Sequence, residues 1–153
     1  QSGWVLKIYG HGPEKAQLQS MIEKANLSNH IILHPPVGDI QTAYLDSAAI
    51  VMTSRYEGLP MALLEGQACG LPLVSYACKC GPRDIIKNGV NGFLIAEGAV
   101  SEMADKLLQL MGSLPLRVEM GIQSKKMSER YTEEKIMQQW LKLFDEVIHP
   151  SAY

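Results

Sequence analysis

Short apolar segments alternate along the chain with stretches that repeat apolar residues at helical spacing. The apolar segments are rich in β-branched residues, as in buried strands, and turn-forming Gly, Pro and Asn residues separate the elements. Strands are predicted over residues 4–9, 31–33, 48–52, 71–76 and 93–95. Helices are predicted over residues 14–25, 40–46, 60–69, 82–87, 101–111, 114–129 and 132–147.

This order of elements predicts the fold class. Continuously apolar strands that alternate with helices indicate an α/β domain whose parallel sheet is covered by helices on both faces. We therefore expect residues 1–153 to form a single domain with a doubly wound, Rossmann-like sheet. Ligands of such sheets bind outside the carboxyl ends of the strands. This rule points to the loops at residues 10–13, 34–39 and 53–60.

The C-terminal part of the chain carries two recognisable helix starts and one apolar stripe. Ser101 is expected to cap one helix, and Thr132, which two glutamates follow, is expected to open the last one. The last helix places apolar residues on one side, and the simplest interpretation is that this stripe belongs to the core. The stripe consists of Ile136, Trp140, Leu143, Phe144 and Val147.

The loop at residues 53–60 and the helix after it have the features of an anion site. Gly58 allows the backbone to turn tightly beside a ligand. Pro60 suits the first helical turn, where its missing N–H would have had no partner. The amides of Leu59, Met61 and Ala62 are then free to bind an anion, which the helix dipole also favours.

Two carboxylates accompany this anion site. Glu57 lies just before the predicted helix and Glu65 lies inside it, with seven residues between them. Both can face the loop end of the sheet, where carboxylates would accept hydrogen bonds from the hydroxyls of a sugar. An acid near a helix start can equally serve only as a partner of the helix dipole. The pair by itself therefore leaves both interpretations open.

Composition and charge narrow the class of ligand. The chain has 46% hydrophobic and 20% charged residues, which is typical of a globular protein. A formal net charge of −2 argues against a nucleic-acid partner, which usually needs a basic face. No apolar run approaches the roughly 20 residues of a membrane span. A small anionic ligand remains compatible with all of these properties.

The cysteine pattern predicts neither disulfides nor a metal site. Cys69, Cys78 and Cys80 form an odd and small set, which suits a reducing compartment. Cys78 and Cys80 lack two further ligands at metal spacing. We expect two ordinary thiols on a loop and no bound metal.

The run from Ser54 onward resembles the donor-binding core of the family 4 (group 1) retaining glycosyltransferases, which have the two-domain GT-B fold. The family pattern has a Ser, an acid followed by Gly, an aliphatic or aromatic residue and Pro, a second acid, and a small-residue turn ending in Pro. In this sequence it stands as Ser54, Glu57-Gly58-Leu59-Pro60, Glu65 and Ala68-Cys69-Gly70-Leu71-Pro72, followed by Gly81-Pro82-Arg83-Asp84 and Asn88-Gly89-Val90-Asn91-Gly92. The resemblance extends over nearly the whole chain.

The resemblance implies a role for each matched residue. Glu57 corresponds to the acid that contacts hydroxyls of the transferred sugar, and Glu65 to the acid that binds the ribose of the nucleotide. The other implied positions are the diphosphate-binding backbone of Gly58, Leu59 and Met61, with Pro60 at the helix start, the base-reading backbone of Val37, and the loop-shaping Ser54. Glu57 is not expected to be a nucleophile, because the leaving diphosphate of this family helps to deprotonate the acceptor. Arg55 and Arg83 could add positive charge near the phosphates, although a solvated surface position explains each equally well.

The resemblance also implies what the whole protein does. We expect a hexose to pass from a nucleoside diphosphate sugar to a glycan or lipid-linked acceptor with retention, in surface polysaccharide biosynthesis, without a metal or other cofactor. The chain is expected to be the C-terminal, donor-binding half, without the first strand and the N-terminal acceptor domain of the family, and to have little activity alone. The C-terminal helix of the family reaches across to the other domain, so part of its stripe would be exposed. We expect a cytoplasmic location, with the full enzyme peripheral to the inner face of the membrane.

Three alternatives remain open at this point. A sugar-nucleotide epimerase or a glycogen-type synthase would share the GT-B fold, and a non-catalytic nucleotide-binding or interaction module could be built on it as well. The spacing of Glu57 and Glu65 around Gly58-Leu59-Pro60 favours the transferase.

Overall fold

A computed structural model describes residues 3–149 of the chain. The described residues divide into two compact units, one up to residue 42 and one from residue 43 onward. The division falls inside the short helix α2 (Ile40–Leu45). Each unit is built from parallel strands and helices, as the order of elements predicts.

The first unit contains β1 (Leu6–Tyr9), α1 (Lys15–Lys24) and β2 (Ile31–His34). The two strands pair in parallel, with Leu6 opposite Ile31. Asp39 starts α2, because its carboxylate accepts hydrogen bonds from the Gln41 amide and the Thr42 hydroxyl. The Thr42 hydroxyl bond is the main cause that lowers the pKa of Asp39. This local capping replaces the backbone partners that a helix start lacks.

The strands of the first unit leave part of their apolar surface exposed. Leu6 and Ile8 of β1 and Ile32 of β2 are exposed, and Ile22 of α1 is buried. A two-stranded sheet with so little helix beside it has too few neighbours to bury every apolar side chain.

The second unit contains the three-stranded parallel sheet β3-β4-β5, with β4 in the middle. Its strands are β3 (Ile50–Met52), β4 (Leu73–Tyr76) and β5 (Gly92–Ile95). The connecting helices are α3 (Met61–Ala68) and α4 (Pro82–Ile85). The sheet is followed by α5 (Val100–Gly112), α6 (Leu114–Ser128), a 3-10 turn (Glu129–Tyr131) and α7 (Glu133–Ile148).

Helices cover both faces of this sheet, which confirms the doubly wound arrangement in the second unit. Successive residues of β4 point to opposite faces, so Val74 packs toward α5 and α6, whereas Leu73 packs toward α3 and α4. Both side chains are fully buried. The first face is filled by Val74, Tyr76, Phe93, Ile95, Met103, Leu110 and Met120, and the second by Leu63, Leu73, Ile85 and Ile86.

One predicted helix cap is wrong and another is confirmed in position. Helix α5 begins at Val100, one residue earlier than predicted, so Ser101 lies inside its first turn and caps nothing. Thr132 is the residue before α7, although its side chain makes no capping hydrogen bond. Ser113 does cap a helix, because its Oγ accepts a hydrogen bond of 3.3 Å from the Leu116 amide at the start of α6.

The apolar stripe of α7 forms as predicted, but it does not belong to the core. Trp140 and Phe144 contact each other with ring centroids 5.7 Å apart, yet they are 49% and 53% exposed. The core interpretation is wrong because α7 packs chiefly against the turn Glu129–Tyr131, which leaves the stripe uncovered. The expectation of an exposed stripe is confirmed for the described residues. Among residues 3–149, no helix combines the length and apolar character that crossing a membrane requires.

Candidate functional site

The segment predicted to bind an anion lies at the start of α3, after β3. The chain leaves the carboxyl end of β3 at Met52, and the loop at residues 53–60 leads into the helix. Helix α3 begins at Met61, and Pro60 stands just before it, one residue earlier than its predicted place in the first turn. The amides of Leu63 and Leu64 donate to the Pro60 carbonyl at 3.0 and 3.3 Å.

The amides of Met61 and Ala62 are left for a ligand. No backbone acceptor takes them within residues 3–149, and Pro60 offers no side-chain cap. Helix starts normally satisfy such amides with a Ser, Thr, Asp or Asn side chain. An uncapped start that carries the positive end of the helix dipole is therefore suited to an anion such as a phosphate.

Buried contacts hold α3 in place beneath this site. Leu63 is fully buried against the second face of the sheet. Gln67, which is also fully buried, donates a hydrogen bond of 3.0 Å from its Nε2 to the Ile85 carbonyl. A β-carbon on Gly66 would lie 3.1 Å from the Ile50 side chain, so the helix approaches β3 closely. The amides at the start of α3 are thus attached to a rigid element.

Gly81 supports the loop from the other side. Its φ of +87° is a conformation that other residues rarely adopt. A β-carbon on Gly81 would lie 2.7 Å from the Gly58 carbonyl oxygen and would overlap the Pro60 ring. The sequence pattern contained Gly81 only as part of the resemblance, and its contact with the loop is visible only in the structure.

One of the two acids precedes α3 in the sequence, and the other lies within it. Glu57 is half-buried in the loop, and Glu65 is exposed in the second turn of α3. The Glu65 Oε2 accepts a hydrogen bond of 2.8 Å from the hydroxyl of Tyr44, near the end of α2. Burial, followed by the neighbouring Glu65 carboxylate, raises the pKa of Tyr44. Sequence reasoning missed Tyr44, because no local pattern links residues 44 and 65.

The remaining predicted residues separate into two groups. Ser54 is half-buried in the same loop as Glu57, and Gly58, Leu59 and Met61 are exposed there. The structure therefore places Ser54 and the residues from Glu57 to Glu65 in one loop-and-helix segment of the second unit. Val37 lies in the first unit, where it is 42% exposed in the loop after β2.

The two candidate cations have other partners. Arg55 lies 4.0 Å from the Glu97 carboxylate, and its side chain is largely exposed. Arg83 donates from Nη2 to the Ala77 carbonyl at 3.3 Å. An exposed ion pair of this length contributes little to stability. Arg55 is therefore only weakly held at the surface, whereas the Arg83 hydrogen bond links α4 to the residue after β4.

The described residues present no group of three or more His, Cys, Asp or Glu side chains that could hold a metal ion. Cys78 is buried, Cys80 is exposed, and both are free thiols, as is Cys69.

Comparison with known proteins shows that the sequence of this chain is similar to glycosyltransferases. The profile of the family described as "Glycosyl transferases group 1" matches residues 1–127. The poly(ribitol-phosphate) alpha-N-acetylglucosaminyltransferase of Staphylococcus aureus is 35% identical over 139 residues, covering 90% of this chain and 28% of the relative. The amylovoran biosynthesis glycosyltransferase AmsD of Erwinia amylovora is 36% identical over 140 residues, covering 92% of this chain and 39% of the relative. The chain thus spans well under half the length of these relatives.

A solved glycosyltransferase structure is similar to this chain in both fold and sequence. A mutant of S. aureus TarM in complex with fondaparinux, alpha-GlcNAc-glycerol and UDP superimposes with a TM-score of 0.87 at 34% sequence identity. The similarity covers 92% of this chain and 29% of that one.

Proposed function

Because the chain belongs to the group 1 glycosyltransferases and has the α/β fold of the C-terminal half of a GT-B enzyme, we propose that it forms the donor-binding domain of a hexosyltransferase. The enzyme transfers a hexose from a nucleoside diphosphate sugar to an acceptor and retains the anomeric configuration. The uncapped start of α3 between Glu57 and Glu65 carries this proposal.

Different residues of the site bind the diphosphate, the ribose and the hexose of the donor. The diphosphate lies at the start of α3, where the amides of Met61 and Ala62 and the helix dipole balance its charge. Glu65 accepts hydrogen bonds from the ribose, and Glu57 accepts them from the hexose. Gly58 and Leu59 let the backbone of the loop approach the phosphates, since both are exposed there.

Binding of the diphosphate at the start of α3 assists the reaction, because the diphosphate is the leaving group. Amides fixed before the reaction stabilise the negative charge that collects on the departing diphosphate. One of its oxygens then takes the proton of the acceptor hydroxyl on the face where the new bond forms. We assign no metal to this step, because backbone amides supply the positive potential that an ion would otherwise provide.

UDP is the proposed nucleotide. The TarM structure that resembles this chain contains UDP, and its 34% identity supports the same nucleotide class here. The backbone at Val37 reads the base.

The acceptor is a glycan or a lipid-linked glycan of the cell surface, which another domain binds. Relatives named for poly(ribitol-phosphate) and amylovoran biosynthesis support this substrate class. Such acceptors place the enzyme in the cytoplasm, peripheral to the inner face of the membrane. Residues 1–153 by themselves are then a donor-binding domain with little transferase activity.

Alanine substitutions of the two acids test the proposal in the protein at its natural full length. Glu65→Ala should weaken UDP binding about 10- to 100-fold, because a hydrogen bond to a charged group contributes about 1.5–3 kcal/mol. Glu57→Ala should leave UDP binding within about 2-fold and lower kcat/KM for the donor sugar at least about 10-fold. Isothermal titration calorimetry and a UDP-release assay measure the two effects.

Glu102→Ala is the matched control, since Glu102 is an exposed acid in the first turn of α5. It should change neither binding nor turnover. Equal effects of all three substitutions would mean that Glu57 and Glu65 are only partners of a helix dipole. Full turnover in Glu57→Ala would refute the role of Glu57 in sugar binding, whereas UDP binding without any turnover in the wild-type protein would indicate a nucleotide-binding module.

A further inference from the structure

Tyr44 makes a contact that connects two distant parts of the chain at the candidate site. Its hydroxyl donates to Glu65 Oε2 at 2.8 Å, across 21 residues of sequence. The other carboxylate bonds of the described helices join near neighbours, as in Gln19 with Glu23 or Asp39 with Thr42. A contact between α2 and α3 therefore determines the orientation of an acid that local geometry would leave free.

Glu65 needs such a partner because of where it lies. It is exposed on α3, and a glutamate side chain with several rotatable bonds loses conformational freedom when it is held in one orientation. The Tyr44 ring is half-buried, so its hydroxyl is presented from a fixed position. The carboxylate is thereby oriented before any ligand arrives, which lowers the ordering cost of binding.

Tyr44 is also a dependable donor. Burial is the main cause that raises its pKa, and the hydrogen bond to Glu65 raises it further. The phenol consequently keeps its proton at neutral and moderately alkaline pH. A carboxylate has about four acceptor positions, so one bond from Tyr44 to Oε2 leaves capacity on both oxygens.

We propose that Tyr44 is a positioning residue that holds the Glu65 carboxylate in the orientation that receives the ribose hydroxyls of the donor. This inference rests on the proposed donor-binding function. Tyr44 does not touch the reacting atoms, and it acts through Glu65 alone. Its removal should therefore affect nucleotide binding and leave the chemical step unchanged.

The test is Tyr44→Phe in the full-length protein, which removes the hydroxyl and keeps the ring. We expect about 2- to 12-fold weaker UDP binding by calorimetry, the factor that corresponds to the ordering cost of one flexible side chain. The donor KM should rise by a similar factor while kcat stays within about 2-fold. This is the pattern expected when the lost interaction binds the ground state and the transition state of the donor equally well. Tyr131→Phe is the control, because Tyr131 is also half-buried and its hydroxyl lies 3.1 Å from the Asp84 carbonyl oxygen. This control should bind UDP normally.

Two further comparisons separate positioning from a general structural effect. The loss in Tyr44→Phe should largely disappear with 2′,3′-dideoxy-UDP, which lacks the hydroxyls that Glu65 receives. It should also disappear in the Glu65→Ala background, as a double-mutant cycle requires of residues that act together. An equal loss with both nucleotides, or an additive loss in the double variant, would overturn the role of Tyr44.

The failure of this inference differs from the failure of the proposed function. If the wild-type protein binds UDP and Glu65→Ala weakens it, but Tyr44→Phe does not, only the role of Tyr44 is wrong. If the wild-type protein binds no UDP, GDP or ADP, the donor site itself is wrong and the role of Tyr44 is refuted with it.

Discussion

Substitution of Gly81 by alanine tests the support of the loop that carries Glu57. Gly81 has a φ of +87°, and its α-carbon faces the loop so closely that a β-carbon would lie 2.7 Å from the Gly58 carbonyl oxygen and overlap the Pro60 ring. Neither neighbour is the end of a flexible side chain. An added methyl group must therefore displace the loop or the turn before α4.

Two contributions determine the size of the effect. A non-glycine residue in a sparsely populated backbone conformation costs about 1–3 kcal/mol. Forcing an extra carbon into a packed region costs about another 1–3 kcal/mol. The free energy of unfolding should thus fall by about 2–6 kcal/mol, which corresponds to a melting temperature lower by about 5–20 °C for a domain of this size. Displacement of the loop should also weaken UDP binding.

Gly98→Ala separates the two contributions. Gly98 has a similar φ of +78°, but a β-carbon there would meet nothing within 4 Å. Gly98→Ala should thus show only the backbone cost and should leave UDP binding unchanged. Differential scanning calorimetry and UDP titration measure both variants. If Gly81→Ala and Gly98→Ala lose the same stability and bind UDP equally, the close contact with Gly58 and Pro60 has no energetic consequence and the reasoning is refuted.

Two further predictions concern the second unit. Leu63→Ala should lower the free energy of unfolding in urea by about 2–5 kcal/mol, because Leu63 is fully buried. Met61→Ala is the control and should change this free energy by less than about 0.5 kcal/mol, because Met61 is exposed. Similar losses in the two variants would contradict the packing of α3. Since burial raises the pKa of Tyr44 above its unfolded value near 10, its stabilising contribution is complete below about pH 10 and declines as pH rises beyond that. The stability difference between wild type and Tyr44→Phe should follow this course, and a difference that is constant to pH 11 would contradict it.

Sequence periodicity predicted the strands and helices well, because their apolar spacing is a local property. The buried strand β4 and the helix α3 lie within a few residues of their predicted bounds. Periodicity could not predict what covers each apolar face. The stripe with Trp140 and Phe144 has the amphipathic pattern of a core helix and is nevertheless exposed, because no local pattern specifies the partner surface.

The candidate site divides in the same way. Glu57, Gly58, Pro60 and Glu65 could be identified from sequence, because a strand end, a tight turn and a helix start follow one another within a short segment. Val37 lies outside this segment, in the loop after β2 of the first unit, so the same local pattern could not identify it.

The sequence by itself determined the α/β fold of this protein and predicted an anion-binding helix start between two acids, because those features arise from residues adjacent in the chain. The tertiary structure decided how the acids and the loop are held. Tyr44 reaches Glu65 from 21 residues away, and Gly81 touches the loop from the turn before α4. Contacts between residues so far apart depend on how helices and strands pack, which no local spacing encodes.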